Sequence, residues 1–262
     1  MELSAFLSDP LRPGSGMANR RYRQRRFWDE LYRQEGAEPR EWLGGLSRFF
    51  PQLEAELRLD DHILVLGCGN SALSHDLHEL GYTRVTSIDF SPACIAAMRA
   101  RYAHCPGLRW AVMDIRALSF PDATFDVVLE KGTLDVLMVE ETDPWNVSPQ
   151  ATAAMHRVLT EVSRVLRPGG CFISITFAQP HFRKPHYAQE AFGWSLRHVT
   201  CGDQDGDTGT FHYFLYLMRK GQPLDGPDLA LGRRLHQPPP PPTPLPPAPP
   251  DDDEDYLFAI QL

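Results

Sequence analysis

The passage that most constrains the fold is Ile63-Leu64-Val65-Leu66, followed at once by Gly67-Cys68-Gly69-Asn70-Ser71-Ala72. Four apolar residues in a row, without polar alternation, read as a strand buried on both faces. Glycines directly after a strand let the backbone turn sharply and let a ligand approach it. Leu73, Leu77 and Leu80 then fall at i, i+4 and i+7, the spacing of one helix face, and Gly81 closes that helix. A buried strand, a glycine turn and a helix make the repeating unit of a parallel sheet. Such sheets bind ligands at the carboxyl ends of their strands.

The unit recurs. Val85–Asp89 reads as a second strand, and Ser91-Pro92 opens a helix with Ser as cap and Pro at the first helical position. Ile95, Met98 and Tyr102 mark the inner face of that helix. Residues 110–113 and 125–129 give a third and a fourth strand. Met155, Val158, Leu159, Val162 and Leu166 make an amphipathic helix that Pro168-Gly169-Gly170 ends, and residues 171–177 a fifth strand. Residues 196–201 and 211–219 add two more, joined by a Gly- and Asp-rich loop with no room for a crossover helix, so they pair antiparallel. The expected fold is α/β: a doubly wound, seven-stranded, mostly parallel sheet with an antiparallel last strand.

The folded domain is expected over 18–233, after a flexible amino terminus at 1–17 and before a tail at 234–262. Residues 237–250 hold ten of the chain's 24 prolines, which favours extended polyproline II, and Asp251–Asp255 is an acidic run. Such a tail is expected to be disordered, and its prolines fit SH3- or WW-type partners. No apolar run approaches the ~20 residues that span a bilayer, so no membrane association is expected. A net charge of −8 argues against direct nucleic-acid binding. The five cysteines are scattered and show no CxxC spacing. Neither a disulfide framework nor a metal site is expected, and reduced thiols fit a cytoplasmic protein. Five arginines lie between Arg20 and Arg26, but Glu2 and Asp9 precede them, which speaks against a targeting presequence.

Asp89 ends the second strand, where an acid can accept both ribose hydroxyls of an adenosine. A dinucleotide-binding site has nearly the same pattern. Asp114 distinguishes the two, because it puts a second acid at the next strand end. Together with Phe125-Asp126-Val127-Val128 and Arg164-Val165-Leu166-Arg167-Pro168-Gly169-Gly170, these segments resemble the class I S-adenosylmethionine-dependent methyltransferases. The resemblance implies S-adenosyl-L-methionine as cofactor. It places Gly67 and Gly69 at the methionine portion, Asp89 at the ribose, Asp114 with Ile115 at the adenine, and Phe90 among the cofactor contacts. Two positions depart from that family's pattern: Val65 stands where it usually has an acid, and Ser71 replaces its third glycine.

Leu129-Glu130-Lys131-Gly132-Thr133-Leu134-Asp135 is typical of a subgroup of protein lysine methyltransferases. With FWDELY, GWSLRH and the terminal AIQL, the chain resembles those that act on elongation factor 1-alpha. That resemblance implies transfer of a methyl group to a lysine of elongation factor 1-alpha. It also places Trp28, Tyr32 and Trp42 over the cofactor and Lys131 beside it. On residues alone, Trp28, Leu31 and Tyr32 are equally an ordinary core stripe. No catalytic residue is assigned. Glu130 and Asp135 flank the expected methyl position and could orient the lysine amine; equally, Asp135 could cap a helix and Glu130 be structural. His181, His186 and His212 read as surface or groove residues, and Cys68 as a small apolar filler. The rival readings are an NAD-dependent oxidoreductase and a non-catalytic interaction scaffold.

Overall fold

The computed structural model describes residues 19–35, 38–141, 146–201 and 213–235. The expected flexible amino terminus at 1–17 and nearly all of the expected tail lie outside these residues, as do Phe211 and His212. Seven strands form one sheet: β1 (Ile63–Leu66), β2 (Val85–Asp89), β3 (Leu108–Val112), β4 (Phe125–Lys131), β5 (Leu166–Thr176), β6 (Trp194–Cys201) and β7 (Tyr213–Lys220). Their order is β3-β2-β1-β4-β5-β7-β6. The first five run parallel, and β7 is antiparallel to both of its neighbours. The order reverses between β1 and β4, which opens a crevice at their carboxyl ends.

Seven helices flank the sheet among the described residues: α1 (Arg25–Glu35), α2 (Leu46–Leu53), α3 (Leu73–Glu79), α4 (Pro92–Arg101), α5 (Pro149–Val165), α6 (Pro180–Tyr187) and α7 (Gly226–Arg234). All four residues of β1 are buried. Their alternation divides them between the two faces. Ile63 and Val65 join a core with Phe49, Leu77 and Met98, while Leu64 and Leu66 join another with Val158, Phe172 and Trp194. The cap expected at Ser91 forms, accepting from the Cys94 amide at 3.2 Å, and Ser148, not singled out in the sequence, caps α5 in the same way, accepting from the Ala151 amide at 3.2 Å.

The differences from the sequence reading have local causes. The helix ends at Val165 and β5 begins at Leu166, so Pro168-Gly169-Gly170 lies within a strand instead of ending the helix. The β4–β5 register shifts there, between Phe125 and Val127. A side chain at Gly170 would meet the Asp126 carbonyl at 2.8 Å, so only glycine lets the two strands close over the irregularity. Leu80 is 47% exposed because α3 ends one residue earlier and the chain turns at Gly81, φ +96°. Helices α2 and α6 carry internal prolines, Pro51 and Pro185, which blurred their period. α6 also buries His186, expected at the surface or in a groove.

The second core is anchored by Phe172, fully buried between Tyr187 and Trp194 at ring separations of 6.0 and 5.9 Å. Phe172→Ala is expected to cost about 3–5 kcal/mol of unfolding free energy, read by urea denaturation, because two rigid rings cannot collapse into the space.

Candidate functional site

The ten residues singled out for cofactor contact all line one cavity at the carboxyl ends of β1, β2 and β4. The sheet supplies Gly67, Gly69, Phe90, Asp114 and Ile115 from the turns after its strands, Asp89 from the end of β2 and Lys131 from the end of β4. The segment before β1 supplies Trp28 and Tyr32 from α1 and Trp42 from the loop that follows.

The glycine turn has a purpose the sequence did not show. Gly67 and Gly69 have φ of +59° and +51°, and the space a Cβ would need is filled by the protein itself. At Gly67 it would collide with the Thr133 side chain, and at Gly69 it would meet the Tyr32 hydroxyl at 2.9 Å. Thr133 uses this approach to donate to the Leu66 carbonyl at 2.9 Å, tying the turn after β4 to the turn after β1. Asp89 closes the arrangement: its carboxylate accepts from the Gly69 amide at 3.1 Å and from the Ser91 amide at 2.9 Å. Burial pushes Asp89 up to about 6, while those two amides pull it back toward the charged form. At the neighbouring strand end, the Arg116 guanidinium pairs with Asp114 at 2.6 Å and holds its carboxyl below the usual range.

Aromatic rings roof the cavity. Trp28 stacks on Tyr32 at 5.7 Å, meets Trp42 edge-on at 6.0 Å and donates from its indole to the Tyr22 carbonyl at 2.6 Å. Trp28 is thus both a core residue, 8% exposed, and a wall of the cavity, so the two sequence readings of this stripe coexist. A polar strap holds the roof down. The Lys131 ammonium donates to the Glu41 carboxylate at 2.9 Å and to the Trp42 carbonyl at 2.6 Å. Glu41 also accepts from the Ser71 hydroxyl at 2.8 Å and the Ala72 amide at 2.7 Å. Ser71, at the departure from the family's third glycine, is therefore a hydrogen-bonding anchor. Asn70 donates to the Glu38 carbonyl at 2.7 Å, and Ser91 to Asp29 of α1 at 2.5 Å. Sequence reasoning missed Glu41 and Asn70, since lone polar residues in loops carry no periodic signal.

The floor separates the two acids that the sequence left equivalent. Glu130 is fully buried; it accepts from the Thr133 and Leu134 amides at 2.9 and 3.1 Å and from the Ser174 hydroxyl. It caps the short helical turn Leu134–Met138, and it does not line the cavity. Asp135 does line it. One of its oxygens accepts from Thr176 at 2.6 Å and from the buried Arg183 guanidinium, while Oδ2 is buried without a hydrogen-bond partner. Burial pushes Asp135 up, and Arg183 opposes that shift.

Comparison with known proteins places this geometry. Residues 64–174 match the family described as Methyltransferase domain. The chain is 51% identical over 245 residues to the EEF1A lysine methyltransferase 4 of Mus musculus, covering 93% of this chain and 94% of that protein. It is 53% identical over 244 residues to its Bos taurus counterpart, covering 92% of each. The eEF1A lysine and N-terminal methyltransferase of Mus musculus is 34% identical over 215 residues, which are 78% of this chain and 30% of that longer protein. The fold matches the crystal structure of a Pyrococcus horikoshii protein with a TM-score of 0.52 at 20% identity, over 73% of this chain and 98% of that one.

The strap predicts an asymmetric pair of variants. Glu41→Ala leaves an ammonium with a 4% exposed side chain facing only a carbonyl, and is expected to cost about 1–3 kcal/mol. Lys131→Met is expected to cost less, because Glu41 is 24% exposed and keeps its Ser71 and Ala72 donors. Thermal melts and tryptic cleavage at Arg33 and Arg40 check the order: cleavage should accelerate more in Glu41→Ala.

Proposed function

The chain belongs to the EEF1A lysine methyltransferase 4 family, and from that premise we infer that it moves a methyl group from S-adenosylmethionine to a lysine of translation elongation factor 1-alpha. The observation that carries this reading is identity above one half, spread over more than nine-tenths of both chains. The relatives favour it over an oxidoreductase or a scaffold.

The cavity fits the cofactor on its own chemistry. A carboxylate offers about four acceptor positions. Asp89 spends one on each of two backbone amides, which leaves capacity for a ribose diol. Phe90 and Ile115 offer apolar surface for an adenine beside Asp114, whose carboxylate Arg116 already orients. The Trp28, Tyr32 and Trp42 faces suit a sulfonium, because a ring's π face attracts a cation. The cofactor supplies an electrophilic methyl group that needs no acid to activate its leaving group. The protein's part is alignment, exclusion of water and a neutral nucleophile.

Neutrality of the attacking amine is the harder demand, since a lysine ammonium has a pKa of about 10.4. We assign its handling to Asp135. The partnerless Oδ2 can accept from the incoming ammonium, and the Arg183 and Thr176 contacts hold the other oxygen. Glu130 has no such role in this scheme, because its oxygens serve backbone and Ser174. We place the enzyme in the cytoplasm, a reading supported by five free cysteines, all buried. The proline-rich residues 237–250 are proposed to dock SH3- or WW-type partners.

Incubation of the chain with purified elongation factor 1-alpha and isotope-labelled donor tests the function: mass spectrometry should find label on a lysine, and an unlabelled substrate would overturn the reading. Asp135→Asn is expected to lower kcat by about 100-fold or more while leaving S-adenosylhomocysteine affinity within about twofold. Cofactor affinity should also fall as pH drops below about 6, where Asp89 gains a proton and one acceptor becomes a donor. The fall should approach ~10-fold per pH unit. Titration calorimetry in matched buffers reads it, and Asp89→Ala should flatten the profile.

A further inference from the structure

Between α3 and the turn after α4, three side chains that the methyltransferase reading does not use converge, with a fourth beside them. His75, His104 and Cys105 each present a ligand atom, and these atoms all lie within 4.8 Å of one another. Glu79, one helical turn after His75, brings its Oε1 to 3.7 Å from His75 Nε2. His75 and Glu79 project from one face of α3, as i, i+4 residues must. His104 and Cys105 come from the turn between α4 and β3. The sequence reading found no metal spacing because the four are contributed by two separate segments that only the fold brings together.

We propose that His75, Glu79, His104 and Cys105 form a structural Zn2+ site that staples α3 to the turn leading into the edge strand β3. Two imidazoles, a thiolate and a carboxylate are the ligand types zinc takes, and four protein ligands close its tetrahedron. A thiolate excludes magnesium and calcium, which prefer oxygen. Zinc bonds of about 2.0–2.3 Å put ligand atoms roughly 3.3–3.8 Å apart, so closure contracts the His75, His104 and Cys105 atoms by roughly 1–1.5 Å at most, and the 64% exposed Glu79 side chain swings in to complete the set. Exposed His104 can move by rotating its side chain, while His75 is already held flat against Tyr102, ring centroids 4.7 Å apart and 21° from parallel. Cys105 is 5% exposed and free, and burial and then the Glu79 carboxylate push its thiol up. On binding, the sulfur–zinc bond forms as the thiol proton leaves to solvent. His78 adds a further sign of an unfinished polar cluster: its Nδ1 is buried without a hydrogen-bond partner, 3.7 Å from the same Glu79 oxygen.

The full chain, reduced and stripped with chelator, is mixed with Zn2+, desalted and assayed by elemental mass spectrometry. One zinc per chain is expected, with a higher melting temperature. Co2+ in its place should show a near-ultraviolet thiolate charge-transfer band. Cys105→Ser should abolish that band, and His104→Ala, an exposed change that leaves the core intact, should reduce retained zinc to near zero. S-adenosylhomocysteine affinity should stay unchanged in both variants. Failure to retain zinc overturns the proposal. So does zinc that persists in both variants and is displaced by S-adenosylhomocysteine, because Cys68 and Asp89, which line the cofactor cavity, and the buried Cys94, within 4.8 Å of both, would then be holding it.

Discussion

The contact between Lys131 and Glu41 organises this structure. Lys131 ends β4 at the point where the sheet order reverses, and Glu41 lies between α1 and α2, in the segment that precedes the sheet. Their pairing, with the Trp42 carbonyl as a third partner, fastens the aromatic roof over the crevice. Burial pulls the Lys131 ammonium down, and Glu41 is what opposes that shift. A lysine so enclosed is costly without its acid, so the roof and the sheet specify one another. Ser71 and the Ala72 amide extend the same network into the glycine turn. One connected set of polar contacts therefore defines the wall, the roof and one side of the cavity.

The site is also where the protein keeps charge in unfavourable surroundings. Asp89 is raised to about 6 from 3.8 by burial. A raised carboxyl means that the folded state prefers the proton. This component of stability is complete below about pH 4 and is lost as pH rises through about 6, a loss of order 3 kcal/mol in the empty protein. A ribose diol donating two hydrogen bonds would return part of that. Glu130, pushed to about 7 by burial and then by Asp135, is held in place by two amides and Ser174. Such groups are retained where chemistry needs an acceptor in a dry place. Of the two acids, Asp135 is the one that lines the cavity, and its buried Oδ2 has no hydrogen-bond partner among the described residues.

Much of this was legible in the chain, for identifiable reasons. The buried strand Ile63–Leu66, the cap at Ser91 and the acids at Asp89 and Asp114 are local signals, and periodicity or strand-end position places each within one or two residues. Gly67 and Gly69 were found, but their cause was not: Thr133 and Tyr32 occupy the space, and those residues are distant in sequence. Glu130 and Asp135 could not be separated because both flank the same turn. Only the direction of each side chain, toward Ser174 or toward Arg183, assigns them. Glu41 and the His75–Cys105 cluster were invisible for the same reason: loop residues and split ligand sets have no period. The internal prolines of α2 and α6 hid two helices that tertiary packing stabilises regardless.

The central claim is that the segment carrying Trp28, Tyr32 and Trp42 is the roof of the cofactor site, held by local polar contacts and completed by the ligand. Hydrogen exchange of the α1 amides, residues 25–35, measured with and without S-adenosylhomocysteine, tests it most directly. The expected result is faster exchange in the empty protein and marked protection on binding, while β1 and β4 amides stay equally protected in both states. Equal protection of α1 in both states would contradict the claim and reduce the aromatic stripe to ordinary core.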